Sequence, residues 1–449
     1  MQVAASLKGL FHSHETGEKA IVADRSFRRF AISFTLDGAA YGLFFYVAFS
    51  LAKGFAAPPL LIALAGMCIP VGLLLAYPVG YFFVGRNKRP LYLLAAGLAV
   101  ISALGFALFP SASALSLSIP VLGTFTLPSG WTFLLWMFLF GIGEAVKFPA
   151  RYSSFQTNFS YRERSKLIGS LYIFYSVANI AIMFLAGYLL DRHFELYRII
   201  FPSAMILSII GDLVYASVPY VPPPSGSPPT PFSLKTIHKP FAHIVEMARS
   251  ERHFMGFELA FFLYGIGYMI MAAILPLIYS TKLGARYEQF GITGVIMSSV
   301  MLISPFIGRW SDRIAPTKLA AVAFAANALF PVWLIFCHSP QQAYLAHIWF
   351  AAACACDIMA WSIGPIFFSG KHDASKYVGV NATLTGARAL IAFTGAGIIQ
   401  QSVTSFTPIL IVASAFFLAG FAAMVIVHRS ARRKNKYDTT RSGRFFFVD

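Results

Sequence analysis

Apolar residues run along this chain in long unbroken stretches, and polar positions gather into short segments between them. A helix rises about 1.5 Å per residue, so crossing a hydrocarbon core of about 30 Å takes about 20 residues. With that ruler the sequence predicts twelve spans, at 30–52, 59–84, 91–109, 131–149, 167–189, 198–219, 254–279, 289–308, 318–337, 343–368, 378–401 and 406–428. Pro70, Pro78 and Pro305 fall inside spans and predict kinks, which membrane helices tolerate when neighbours satisfy the freed carbonyls. The longest internal polar stretch opens on YVPPPSGSPPTP, whose six prolines from Pro222 to Pro231 favour extended polyproline II over helix. It divides the spans six and six. The fold class expected is therefore an all-α polytopic membrane protein. Its predicted parts are a tail at 1–29, a bundle at 30–219, a linker at 220–252, a bundle at 253–428 and a basic tail at 429–449.

Composition agrees: 57% of the 449 residues are hydrophobic and 12% charged, where a soluble domain carries about 25% charged residues. The net charge of +17 would suggest nucleic acid in a soluble protein. Here 28 of the 35 basic residues fall in the tails and even-numbered connections and five in the odd-numbered ones, leaving Lys147 and Arg388 inside spans. By the positive-inside rule both termini face the cytoplasm, in a plasma or inner membrane, and the charge is a topological signal. No nucleic-acid partner is expected. The first 29 residues carry Glu15, Glu18 and Asp24 and no cleavage-site pattern before the first apolar run, so no removable signal peptide is predicted.

Cys68, Cys337, Cys354 and Cys356 show neither paired nor metal-ligand spacing, so no disulfide framework, metal or cofactor is expected. A phosphate-binding GxxxxGK[ST] loop is absent, as are HExxH and GxSxG. Energy would then come from an ion gradient. A lipid-modifying membrane enzyme and a non-transporting scaffold or sensor are the alternative classes.

The halves repeat one another. RSFRRF enters the first span from Arg25, and RSERHF enters the seventh from Arg249. ERSKLIGSLY follows the fourth span from Glu163, and DASKYVGVNA follows the tenth from Asp373. GRWSDR, from Gly308 to Arg313, follows the eighth span, and GYFFVGRNKR follows the second from Gly80. Internal repeats of this kind build transporters around one midplane site.

These residues resemble the major facilitator superfamily over 25–428, with its G-x-x-x-D-R-x-G-[RK]-[RK] loop signature. The resemblance implies two pseudo-symmetric six-helix bundles and an alternating-access secondary transporter for a small solute, expected as a monomer. It implies a gating role for Gly80, Lys88 and Arg89 in the first copy and Gly308, Asp312 and Arg313 in the second. Val84 replaces the acid of the first copy, and Asn87 its second glycine. The stretch GIGEAVKFPA followed by ERSKLIGS is similar to spinster-type lipid transporters and related organic-anion symporters. In that group an acid in helix 1 and the glutamate of helix 4 are implicated in proton coupling, positions held here by Asp37 and Glu144.

Ionisable groups at membrane depth by default mark pathways or buried pairs. Asp37 and Glu144 both lie about 10 Å in from the same membrane face and could share a proton. Lys147 could instead hold Glu144 as an i,i+3 pair. Asp357 and Arg388 lie near the midplane, where they would either pair or leave Arg388 facing a substrate anion. Asn381, Thr385 and Arg388 share one helical face and would line a cavity, with Tyr175 and Asn179 as counterparts in the first half. Tyr41, Tyr264, Tyr268 and Trp361 complete the cavity set and favour a substrate with an apolar part. Glu258 and Asp212 read as structural.

Overall fold

The computed structural model describes residues 18–83, 86–108, 115–119, 123–127, 130–159, 161–219, 239–302, 314–369, 374–433, 437–439 and 445–447. Eleven helices among them are long and apolar enough to cross a membrane. They are α1 (Asp24–Lys53), α2 (Pro59–Phe82), α3 (Arg89–Leu108), α4 (Trp131–Arg151), α5 (Leu167–Arg192), α6 (Phe194–Ala216), α7 (Arg252–Lys282), α9 (Pro316–Ile335), α10 (Pro340–Ser369), α11 (Tyr377–Ser402) and α12 (Thr407–Arg432). The remaining span is α8 (Tyr287–Leu302), whose described part is 16 residues long because the predicted span runs on beyond the described residues. The chain is thus a twelve-helix membrane protein. Two short antiparallel hairpins, which the hydropathy pattern did not announce, add β1 (Leu115–Ile119) with β2 (Gly123–Leu127), and β3 (Tyr437–Thr439) with β4 (Phe445–Phe447).

Proline acts where the sequence placed it. Between Pro70 and Pro78 the second span tightens into a 3-10 turn at Leu73–Leu75, since each proline removes a backbone donor. Pro305 lies outside the described residues. An amphipathic helix at Lys239–Ser250 packs against α2 and α7, connecting the two halves.

Within the first half α1 packs on α5 and α6, α3 on α4 and α6, and α2 on α4; within the second α7 packs on α11 and α12, and α9 on α10 and α12. The halves meet through α5 with α8 and α2 with α11. A two-fold mapping each helix onto the one six places later exchanges those two pairs, so the joint is itself pseudo-symmetric.

Lipid tails are as apolar as leucine, so helix association here relies on close packing of small residues. Gly38 of α1 shows this against α5: a Cβ there would sit 2.2 Å from the Tyr175 carbonyl oxygen. Asn179 of α5 seals the same contact, donating to the Gly38 carbonyl at 2.9 Å and accepting from Ser298 of α8 at 2.8 Å. Gly38→Ala is expected to force α1 off α5 and cost about 1–3 kcal/mol, the usual penalty of overpacking. Thermal unfolding of the purified protein checks this, and an unchanged midpoint would contradict the close approach.

Candidate functional site

The first half buries a charge cluster drawn from three helices. On α4, Glu144, Lys147 and Arg151 recur three and four residues apart and so share a face. Lys147 is 1% exposed, with its Nζ 2.5 Å from Glu144, 2.9 Å from Asp212 of α6 and 3.5 Å from Asp37 of α1. Arg151 bonds the other oxygen of Asp37 at 2.5 Å and lies over the rings of Phe34 and Tyr215. Hydroxyls complete the shell: Tyr41 donates to Glu144 at 3.0 Å, Ser208 to Glu144 at 3.2 Å and Tyr215 to Asp37 at 3.2 Å. Buried charges are tolerated only when paired and hydrogen-bonded: Asp37 and Glu144 each have a cation and a hydroxyl, and Asp212 takes its hydrogen bond from Lys147 itself.

The structure therefore brings Asp37, Glu144 and Tyr41 together, and Lys147 bridges all three acids instead of serving Glu144 alone. Asp212, read from sequence as structural, is a full member of the cluster. Arg151, counted from sequence among the loop cations, is another, because the helix of α4 continues to Asn158. Both could have been found from helical spacing: Arg151 lies one turn beyond Lys147, and Ser208, Asp212 and Tyr215 share a face of α6.

The second half differs. Glu258, read from sequence as structural, is 2% exposed and accepts from Asn381 at 3.0 Å. Asp357 accepts from Asn327 of α9 at 3.2 Å, and Asn327 also donates to Tyr264 at 2.7 Å. Sequence reading had not singled out Asn327. Among the described residues no acid lies within 4.0 Å of the Arg388 guanidinium, so Arg388 and Asp357 do not pair. Arg388 donates to the Phe261 carbonyl at 2.5 Å and packs against Gly265, where a Cβ would fall 2.3 Å from its guanidinium. Thr385 donates back to the Asn381 carbonyl at 2.9 Å, which leaves its hydroxyl on its own helix.

Tyr41, Arg151, Tyr175, Tyr268 and Arg388 are all surrounded by protein yet keep accessible surface. That combination places accessible space inside the helix assembly, against residues of both halves. Trp361, with Nε1 buried and unpartnered, is also partly accessible.

At the end away from the chain termini the halves close on each other. Asp191, ending α5, accepts the backbone N–H groups of Tyr287 and Glu288 at 2.7 and 2.8 Å and so caps α8. Lys53 of α1 donates to the Ala285 carbonyl at 2.5 Å, and Phe49 stacks on Phe290 at 4.2 Å. At the opposite end, Gly80 faces Pro149 of α4, Arg89 is exposed and Lys88 donates to the Phe83 carbonyl. Burial pulls the Lys88 ammonium down to about 8, helped by repulsion from Arg86. Gly308, Asp312 and Arg313 lie outside the described residues.

The chain superposes on solved structures of transporters. The human organic anion transporter MFSD10 (TETRAN) superposes with a TM-score of 0.63 at 15% identity, covering 90% of this chain and 99% of its own. A bacterial homologue of the human drug peptide transporters PepT1 and PepT2 gives 0.63 at 15%, with coverage of 92% and 99%. The xylose transporter XylE from E. coli, partially occluded and inward open, gives 0.60 at 15%, with 91% and 99%. No curated protein matches the chain. The family model of the Major Facilitator Superfamily matches residues 111–396, and with twelve spans in two six-helix bundles the chain belongs to that superfamily of membrane transporters.

Proposed function

We propose that the protein is a secondary active transporter that carries a small, amphipathic organic solute by alternating access and couples it to protons at Asp37 and Glu144. The observation that supports this most is the charge count of the buried cluster: three carboxylates face two cations. The surplus negative charge is cancelled by one proton, and Arg151, 19% exposed, connects the cluster to the internal space. Protonating Asp37 would loosen the tie from α1 to Arg151 and Lys147 on α4. A change of about 1.4 kcal/mol in that tie alters the ratio of the two access states tenfold.

The bundles at 30–219 and 253–428 are the two rocking bodies and 220–252 the linker, with both tails cytoplasmic and the monomer as the working unit. Closure around Asp191 then lies on the outer face. Proteoliposome flux under an imposed proton gradient tests the reading, with gradient-driven accumulation expected for some solute of a broad panel. Asp37→Asn should abolish accumulation while leaving exchange intact. Accumulation at the wild-type level in that variant would refute the coupling role.

A further inference from the structure

We infer that the transported solute is an organic anion, whose acidic group is held by Arg388 while its apolar part lies among the ring side chains of α7 and α10. This rests on the transporter reading above and names the substrate class of its central space. A guanidinium offers five N–H donors in a fork that matches carboxylate or sulfonate bidentately. Here one of them meets the Phe261 carbonyl, while Nε is buried without any acceptor. Gly265 makes room for the group, so its place against α7 is fixed by packing and not by an acid. The neighbouring acids are engaged elsewhere, Glu258 with Asn381 and Asp357 with Asn327. Trp361, one turn beyond Asp357 on α10, presents a second buried N–H without a partner. What both groups lack is an acceptor.

The apolar part has its surfaces nearby. Tyr268 is close enough to Arg388 to act on it electrostatically, and it stacks on Phe350 with ring centres 5.8 Å apart. Glu258 and Asp357 also act on Arg388 across the same space, and as carboxylates they would repel an incoming anion. Anion binding is therefore linked to protons on these acids, so affinity rises as pH falls. Among the described residues the other titratable group acting on Arg388 is Tyr268 on α7, which carries no charge near neutral pH.

The test is equilibrium binding to the full chain in nanodiscs of zwitterionic lipid. Calorimetry would compare benzoate and hexanesulfonate with the neutral benzamide and hexanamide and the cationic hexylamine, at pH values either side of neutrality. The anions should bind at least about tenfold tighter than the neutral analogues, and tighter at the lower pH. Arg388→Gln should erase that preference, and Arg388→Lys, which keeps the charge but loses the fork, should restore part of it. Because the wild-type preference needs no variant, a poorly folding Arg388→Gln leaves the test standing. Discs containing anionic lipid separate two sources of the same chemistry: competition with benzoate would identify a lipid headgroup as the occupant's acidic group. Equal binding of amides and anions, preference for hexylamine, or no binding of any anion at millimolar concentration would overturn the inference. Those results leave proton-gradient flux, measured separately, free to succeed or fail.

Discussion

Lys147→Met is expected to leave the first bundle too unstable to purify as a monodisperse protein at ordinary temperature. The substitution keeps the volume of the side chain and removes the one cation that, among the described residues, lies within 4.0 Å of all three acids. Asp37 would retain Arg151, but Glu144 and Asp212 would be left with hydroxyl partners alone or none. Breaking a buried ion pair from one side costs about 3–5 kcal/mol, because the remaining charge stays desolvated. A folded protein holds about 5–15 kcal/mol in total. The diagnostic is compensation: adding Asp212→Asn to Lys147→Met removes one stranded charge, and Glu144→Gln a second. Thermal midpoints should therefore rise stepwise from the single to the triple variant, a non-additive pattern expected of groups in one network. A single variant as stable as the wild type would mean that the acids hold protons and do not depend on Lys147.

Much of this architecture was legible from hydropathy, because the membrane imposes a length on each helix that side-chain detail cannot override. The Glu144–Lys147 contact was legible too, since both residues sit on one helix and three-residue spacing puts them on one face. The ties from Lys147 to Asp212 and from Arg151 to Asp37 were not. They depend on how α1, α4 and α6 are rotated about their own axes, which packing at sites such as Gly38 decides. Arg151 was hidden for a further reason: a basic residue at the end of a span satisfies the positive-inside pattern equally well whether it faces water or turns inward.

For Asp357 and Arg388 equal depth left a pair and a substrate-facing guanidinium as alternatives; rotation gave Asp357 to Asn327 and left the guanidinium beside Gly265. The register that aligns Glu163 with Asp373 also aligns Lys147 with Asp357, so the repeat places opposite charges at one position of its two halves. That difference is what makes the first half a closed charge network and the second a source of free donors.

Asp191→Ala is expected to shift the resting population towards the state opened at the end away from the termini. The first N–H groups of a helix have no partners within it and carry the positive end of its dipole. For α8 two of these groups are satisfied by a carboxylate belonging to the other bundle, with both oxygens engaged at 2.7 and 2.8 Å. This cap exists only while the halves are closed, so its energy counts wholly towards the closed state. Two charge-assisted bonds at a partly exposed site contribute about 1.5–3 kcal/mol together, a shift of about 10- to 150-fold in a two-state ratio. Asp191→Asn keeps a single acceptor oxygen and should fall between wild type and alanine. Spin labels at Glu195→Cys and His338→Cys, exposed positions flanking the closure on opposite halves, would report the change as a growing long-distance population. Solute binding from the termini side should weaken in the same order, because a competent state populated less often lowers apparent affinity in proportion. Identical distance distributions in the wild type and Asp191→Ala would show that Lys53 and the Phe49–Phe290 stack hold the closure without the cap.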